Sequence, residues 1–484
     1  MKTKKIKGVI TIFLCIIFAA FLGCFLILTD AVRINECAEM TSEAIALSAL
    51  AIDSSYNKEI YKDLDLVLYT MNDDELLKIM GDTLNQNLYN TKQIGLVMTP
   101  NIWIFQKSCP ADSWYWGMGR LALKYVNSFA GEKTINNKFT CSADTEYDRE
   151  ANEYVARVVS GKDNYKKIEE LLDGNNLFGL FYDYLPDMGK IDDDKYEKRY
   201  SAITLSYDNL EKDDQDRYRE IDESKDVYDE LKNASLYGGF AERKEEVFRL
   251  SNDGLYYYPD ECEVRYDALN IFMRDHFKDA LAKERGKSGL YGEREYLLYG
   301  YPTDRENVAK VLGEILKLRL YMNLKALYYE GTDKYDDEEA VFISFKESWH
   351  DVWVLYNGGS IPWEKKANEF ITNVKDSLEK IASRAVDSKY TDEKKGLTYE
   401  DYLTGQTYIS CYSGHIICGE TVNAKFFDLL YFRYGVDAKQ INDEITFGAE
   451  YTCDEEYRKK MLSTLGELMI TNKKYTRFFS VTGG

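Results

Sequence analysis

The sequence predicts an α+β protein, mostly helical: a long N-terminal transmembrane and stalk helix, then a large extracytoplasmic helix-rich domain with a small antiparallel sheet. Three observations carry this expectation. Val9 to Leu28 is apolar apart from Thr11, and as a helix it spans roughly 30 Å, the thickness of a bilayer's hydrocarbon core. No Gly or Pro interrupts the chain from Leu26 to Tyr56, so nothing breaks the helix where the apolar run ends. From Val264 onward helical patterning dominates, whereas Ile445, Phe447, Ala449 and Tyr451 alternate with polar or small residues, the period of a strand.

Taken in order, residues 1–8 form a basic tip with Lys2, Lys4, Lys5 and Lys7. Residues 9–29 are the transmembrane helix, 30–60 an amphipathic stalk and 61–484 the exterior domain. Lysines before the span and Asp30, Glu36 and Glu39 after it place the N-terminus in the cytoplasm by the positive-inside rule. A cleaved signal peptide is the first rival, but its apolar core is about 7–15 residues and ends at a small-x-small site. Leu26-Ile27-Leu28-Thr29-Asp30-Ala31 is a poor site. Leu22-Gly23-Cys24 looks like the end of a lipobox, yet Phe21 precedes it and apolar residues follow.

Beyond the membrane, Ala31, Ile34, Ala38, Thr41, Ile45, Ser48 and Ile52 keep a 3-4 spacing and line one helix face. The face is small or β-branched and permits close approach of a neighbouring helix. Ala19 and Gly23 add a small-xxx-small pair within the membrane. These nine residues form the candidate assembly face; the alternative is that the outer half packs on its own domain. Asp30 and Arg33, three apart at the membrane surface, are a candidate ion pair within the helix or across subunits. A simple interfacial anchor is the other reading.

In the exterior, Asn72 to Leu88 reads as a helix with Asp73 as N-cap, and Ile94 to Met98 as a short strand. Glu150 to Val159 and Tyr165 to Leu172 look helical. Residues 187–232, rich in Asp, Glu, Lys and Tyr, are the candidate surface excursion or subdomain join. Thr303-Asp304-Arg305-Glu306 is a capping box. Val308, Val311, Leu312, Ile315, Leu316, Leu318, Met322 and Ala326 then give a buried face. Phe342 to Tyr356 is a further helix, closed by Asn357-Gly358-Gly359. Thr398 and Asp401 form a weaker capping pair. Arg477 to Val481 is a candidate partner for the strand at 445–451.

Composition bounds the function. The net charge of -21 argues against nucleic-acid partners, because phosphate repels an acidic body. Nine cysteines are scattered without a disulfide-framework spacing. Cys411, His415 and Cys418 share a helix face and with Cys453 have ligand types for zinc, but no CxxC knuckle is present. The acidic runs at Asp192-Asp193-Asp194 and Asp333 to Glu339 lack the spacing of a calcium loop. Gly117-Met118-Gly119-Arg120 with Lys124 lacks the Walker ending. Glu293 and Glu295 are paired carboxylates, yet Tyr296, Leu297 and Leu298 beside them point to packing. With no HExxH or GxSxG string, no catalytic residue, cofactor or metal site is assigned and the protein is expected not to be an enzyme.

Several stretches resemble one family. Lys7-Gly8-Val9-Ile10-Thr11-Ile12-Phe13 is similar to the KGSITVF-type start of an uncharacterised Gram-positive (Firmicute) membrane-protein family related to the TadE/TadG-like proteins of the tight-adherence pilus. Asp30-Ala31-Val32-Arg33 resembles its acidic-x-x-Arg segment, and AIDSSYNKEIYKDLDL, residues 51–66, its helix exit. YDALNIFMRDH at 266–276, EREYLLYG at 293–300, Arg305-Glu306-Asn307 and Leu316-Lys317-Leu318-Arg319 continue the likeness. Glu347-Ser348-Trp349-His350-Asp351-Val352, Gly358-Gly359-Ser360-Ile361-Pro362 and LTYEDYL at 397–403 complete it. The resemblance implies a first helix of pilin-like type. It also implies an accessory or minor-pilin-like component of a tight-adherence (type IV-related) pilus or secretion apparatus. The partners would be the lipid bilayer and other apparatus subunits. Phe13 stands where type IV pilins carry a Glu five residues after the cleaved Gly, which separates this chain from a major fibre subunit. A tethered adhesin or ligand-binding module, and a membrane-anchored hydrolase, are the alternatives.

Overall fold

The computed structural model describes residues 2–93, 98–111, 117–125, 150–151, 153–155, 157–158, 181–204, 269–330, 335–370, 396–413, 417–453 and 474–482. The chain is mostly helical, with a long apolar N-terminal helix and a small antiparallel sheet. It divides into two compact units, Met1–Pro110 with Lys439–Gly484, and Ala111–Ala438. The acidic run expected to mark a subdomain join begins inside the second unit; residues 205–232, like 94–97 and the expected helix at 165–172, lie outside the described residues.

In the first unit, α1 runs unbroken over Lys2–Asp53, about 78 Å at 1.5 Å per residue. It is the one helix, among the described residues, long and apolar enough to cross a membrane, and none of its most apolar stretch is buried. Within the stretch 30–60, the chain turns after Asp53 and restarts as α2, Lys58–Leu64, capped by the Asn57 side chain. α3, Asp73–Gln93, is capped by Asn72 rather than Asp73. The Glu75 N–H donates to Asn72 Oδ1 at 2.9 Å, and the Glu75 carboxylate accepts from the Asn72 N–H, a reciprocal capping box.

β1, Met98–Ser108, pairs antiparallel with β4, Glu444–Cys453, which pairs antiparallel with β5, Tyr475–Thr482. (β2 and β3 are the short pair Ser360–Ile361 and Leu397–Thr398 of the second unit.) The expected pairing of 477–481 with 445–451 is present, Phe447 lying opposite Phe479. Ile445, Phe447, Ala449 and Tyr451 point inward onto α1 and α3, forming one core with Ile45, Ile52, Leu76, Met80 and Leu84.

In the second unit, α4 is Gly117–Tyr125, α5 Asp193–Glu197, α6 Tyr200–Thr204 and α7 Glu293–Tyr299. α8, Asp304–Glu330, starts at the expected box: Thr303 Oγ1 donates to Glu306 and accepts the Glu306 N–H. It pairs antiparallel with α9, Asp337–Tyr356. Their facing residues, Val308, Val311, Leu312, Ile315 and Leu316 against Trp349, Val352 and Leu355, build the main core. Gly358 ends α9 with φ 85°, a left-handed position that favours Gly. α10, Tyr399–Ser413, and α11, Ile417–Tyr434, follow, and the described residues within 150–158 and 269–276 are helical too. Thr398 and Asp401 cap α10 as expected.

Candidate functional site

The predicted assembly face divides in two. Ile34, Ala38, Thr41, Ile45, Ser48 and Ile52 are all less than a tenth exposed. They are covered by their own unit, because the outer half of α1 packs against α3 and the sheet. This stretch is a core seam and not a surface open to a neighbour. Thr41 and Ser48 fit the seam by returning their hydroxyls to the carbonyls of Cys37, at 2.7 Å, and Ala44, at 2.6 Å. Asn87 on α3 then donates to Ser48 Oγ at 3.0 Å. Burial pushes the Cys37 thiol up to about 11, its hydrogen bond with Thr41 working against the rise. Ala19 is exposed, Gly23 and Ala31 half-buried. Just past the apolar run Asp30 is fully buried and Arg33 half-buried. Beyond the apolar run α1 exposes the large apolar residues Val32, Leu47 and Leu50, each at least half exposed, among the exposed acids Glu36, Glu39 and Glu43.

The densest chemistry lies in the second unit, where α8, α9, the turn after β2 and α10 meet. Arg319, fully buried, sits on the α8 face otherwise filled by aliphatic residues; Leu318, expected there, is only half-buried. The Arg319 guanidinium donates to Asp351 at 2.9 Å, to the carbonyls of Pro362 at 3.0 Å and Trp363 at 2.9 Å, and to the Tyr402 hydroxyl at 3.1 Å. Lys365 donates to Glu347 at 2.6 Å and closes on Asp351. Asn323 donates to Ser348 at 2.9 Å. Burial alone would raise the Asp351 carboxyl, but Arg319 and Lys365 outweigh it and hold it below the usual carboxylate range. Burial works against the Arg319 charge too, yet Tyr402 and Asp351 raise its pKa above the ordinary value.

Two cations and two carboxylates thus neutralise one another in a site closed to solvent, with side-chain exposures of 0–1%. Glu347, His350 and Asp351 have ligand atoms close enough together to hold a metal ion. The Lys365 ammonium bonds to both carboxylates of that set, so an internal cation already serves them. The geometry suits a rigid strut across four segments. Pro362 and Trp363 reach Arg319 because Gly358 turns the chain and Ile361 pairs with Leu397.

A second polar cluster surrounds α7. Glu293 pairs with Arg433 and accepts the Ser288 hydroxyl at 2.6 Å. Arg294 reaches Glu400 at 3.2 Å and Thr404 at 2.9 Å. Glu295 Oε1 accepts from the Ala280 N–H at 2.9 Å and the Tyr399 hydroxyl at 2.8 Å, while Oε2 is buried without a partner. Burial pushes the Glu295 carboxyl up to about 7, and neighbouring Asp279 adds to the rise. The two carboxylates are held apart by separate partners and fully buried, as the packing reading of EREYLLYG expects. Asp428 is a third buried acid, bonded to Ser201 and Tyr296.

The remaining sequence candidates resolve individually. His415 lies outside the described residues, as do the side chains of Cys411, Cys418 and Cys453. Asp192 caps α5 and Asp193 pairs with Lys190. Asp336 caps α9. At the start of α4 the Met118 N–H donates to Asn423 at 2.7 Å, so a side chain occupies that donor. Sequence reasoning missed Arg319, Asn323, Lys365 and Tyr402 as a connected group. The available signal was the set of motifs LKLR, ESWHDV, GGSIP and LTYEDYL, whose residues converge here.

A family model described as "Family of unknown function (DUF5702)" matches residues 263–341 and 340–411. That stretch contains every residue of the Arg319–Asp351–Lys365–Glu347 network. No curated protein and no solved structure matches the chain.

Proposed function

We propose that the protein is a single-pass, membrane-anchored display subunit, with its N-terminus in the cytoplasm and both units outside. In this reading it is an accessory or minor-pilin-like component of a tight-adherence-type pilus or secretion apparatus. The observation that supports it most is the double use of α1. Its first half is an apolar rod with no cover, and its second half is the central core helix of the first unit. Anchor and displayed unit are therefore one rigid element with no linker between them, which suits transmission of position from the membrane to an exterior domain. The lysines at the tip favour the stated orientation.

Because the small-residue seam is consumed internally, neighbours meet α1 elsewhere: at Ala19 and Gly23 within the membrane and at Leu47 and Leu50 outside it. The test is a photo-crosslinking residue placed at Ala19 or at Leu47 in intact cells, with maleimide labelling from either side to read orientation. Discrete adducts with other single-pass helical proteins are expected from both sites. Adducts from neither site leave a simple tether, and a mature N-terminus beyond Leu28 removes the anchor altogether.

A further inference from the structure

The outward face of the first unit's sheet is built unlike its core face. Trp103, Gly448 and Phe478 stand side by side across the three strands. Phe105, at the bulge between Ile104 and Gln106, approaches Phe478 with ring centroids 4.7 Å apart. The two phenyl rings are 57% and 54% exposed. Gly448 makes the row possible: a Cβ there would lie 2.4 Å from Trp103 Cε2. Glycine weakens the middle of a central strand and marks a close approach. Here it seats an indole on the backbone while two phenyl rings face water.

The rows on either side, about 7 Å away along the strands, carry hydrogen-bonding groups. Asn101, Glu450 and Thr476 lie on one side; Gln106, Thr446 and Ser480 lie on the other, the last two with hydroxyls 2.9 Å apart. The carboxylate of Glu450 is tied to Lys474 at 2.9 Å. With the cation beside this face already paired and a chain charge of -21, polyanions and anionic lipid are repelled.

We propose that this face binds an uncharged polysaccharide strand built of equatorially substituted pyranose rings. Such a ring has a flat C–H face that covers aromatic carbon and a rim of hydroxyls that meets amides and alcohols, matching an apolar row flanked by hydrogen-bonding ones whose one carboxylate, Glu450, is paired with Lys474. The inference rests on the display reading for access to such a strand outside the cell. Its test does not, since purified protein binds or fails to bind whichever way it sits in the membrane. Full-length protein in a detergent without sugar headgroups is titrated calorimetrically with cellohexaose, and in parallel with a β-1,4-galactan hexamer, whose rings carry an axial substituent.

Saturable binding of cellohexaose is expected, weaker for the galactan. It should fall by about tenfold or more in Phe105→Ala/Phe478→Ala, which removes only solvent-facing rings and leaves the circular dichroism spectrum unchanged. Gln106→Ala, also exposed, should weaken it independently. Absence of saturable binding at millimolar cellohexaose, or binding indifferent to the double substitution, overturns the proposal. Concentration-dependent self-association abolished by Phe105→Ala/Phe478→Ala does so too, by making the face a contact between copies.

Discussion

Replacing Glu295 by Gln isolates one buried proton. The carboxyl rises from its ordinary value of 4.5 to about 7 because burial penalises its charge. The folded second unit therefore holds a proton that the unfolded chain has released. Its stabilising contribution is complete below about pH 4.5 and is lost as pH climbs through 7, a difference worth roughly 3 kcal/mol. Gln is neutral at every pH, and its amide oxygen keeps the bonds from Ala280 and Tyr399. Its NH2 group would occupy the place of the unpartnered Oε2, at a cost of about 1–2 kcal/mol. Glu295→Gln should thus be less stable than the parent at pH 5 and more stable at pH 8. Urea unfolding of the full chain in detergent, followed by the fluorescence of Trp349, Trp353 and Trp363, reads both. If the parent and variant show the same dependence between pH 5 and 8, the carboxyl is ionised in the fold and the reasoning fails.

Two further predictions concern the other polar cluster and the α1 seam. Lys365→Met removes the ammonium that Glu347 and Asp351 share, while Asp351 keeps Arg319 and Asn323. It should cost about 3–5 kcal/mol in urea unfolding, and Glu347→Leu added to it should recover a large part by removing a buried carboxylate that has lost its ammonium. Asp351 is lowered by its cations, so its contribution is present above its unfolded value and lost as pH falls below it, opposite in sign to Glu295. Ile45→Ala should loosen the first unit by about 2–4 kcal/mol. Faster maleimide labelling of Cys37, which is 1% exposed, is the local readout; an unchanged rate would place the seam's stability elsewhere.

Individual residues show how far the pattern alone reached. The α8 face was legible because aliphatic residues recur at helical spacing, and the capping boxes at Thr303 and Thr398 were legible because each is a local four-residue chemistry. The strand at 445–451 showed its alternation. β1 was less visible: Pro100 and the bulge at Phe105 interrupt the period, and its partner lies more than three hundred residues away. Arg319 was hidden for a different reason. A charged residue on a helix reads as solvent-facing unless its counter-ion is known, and Asp351 lies on the next helix, 32 residues away.

The spacing of Ile34, Ala38, Thr41, Ile45, Ser48 and Ile52 established by itself that one face of α1 seeks cover, and the apolar run established that a bilayer-length rod precedes it. Both follow from local composition, since helix geometry fixes which residues share a side. What covers that face was decided only by tertiary structure. Burial of apolar surface is not directional: a neighbouring subunit's helix and the chain's own α3 and sheet satisfy the same stripe. Only the folded chain, by bringing residues 76–88 and 445–481 onto it, makes the choice.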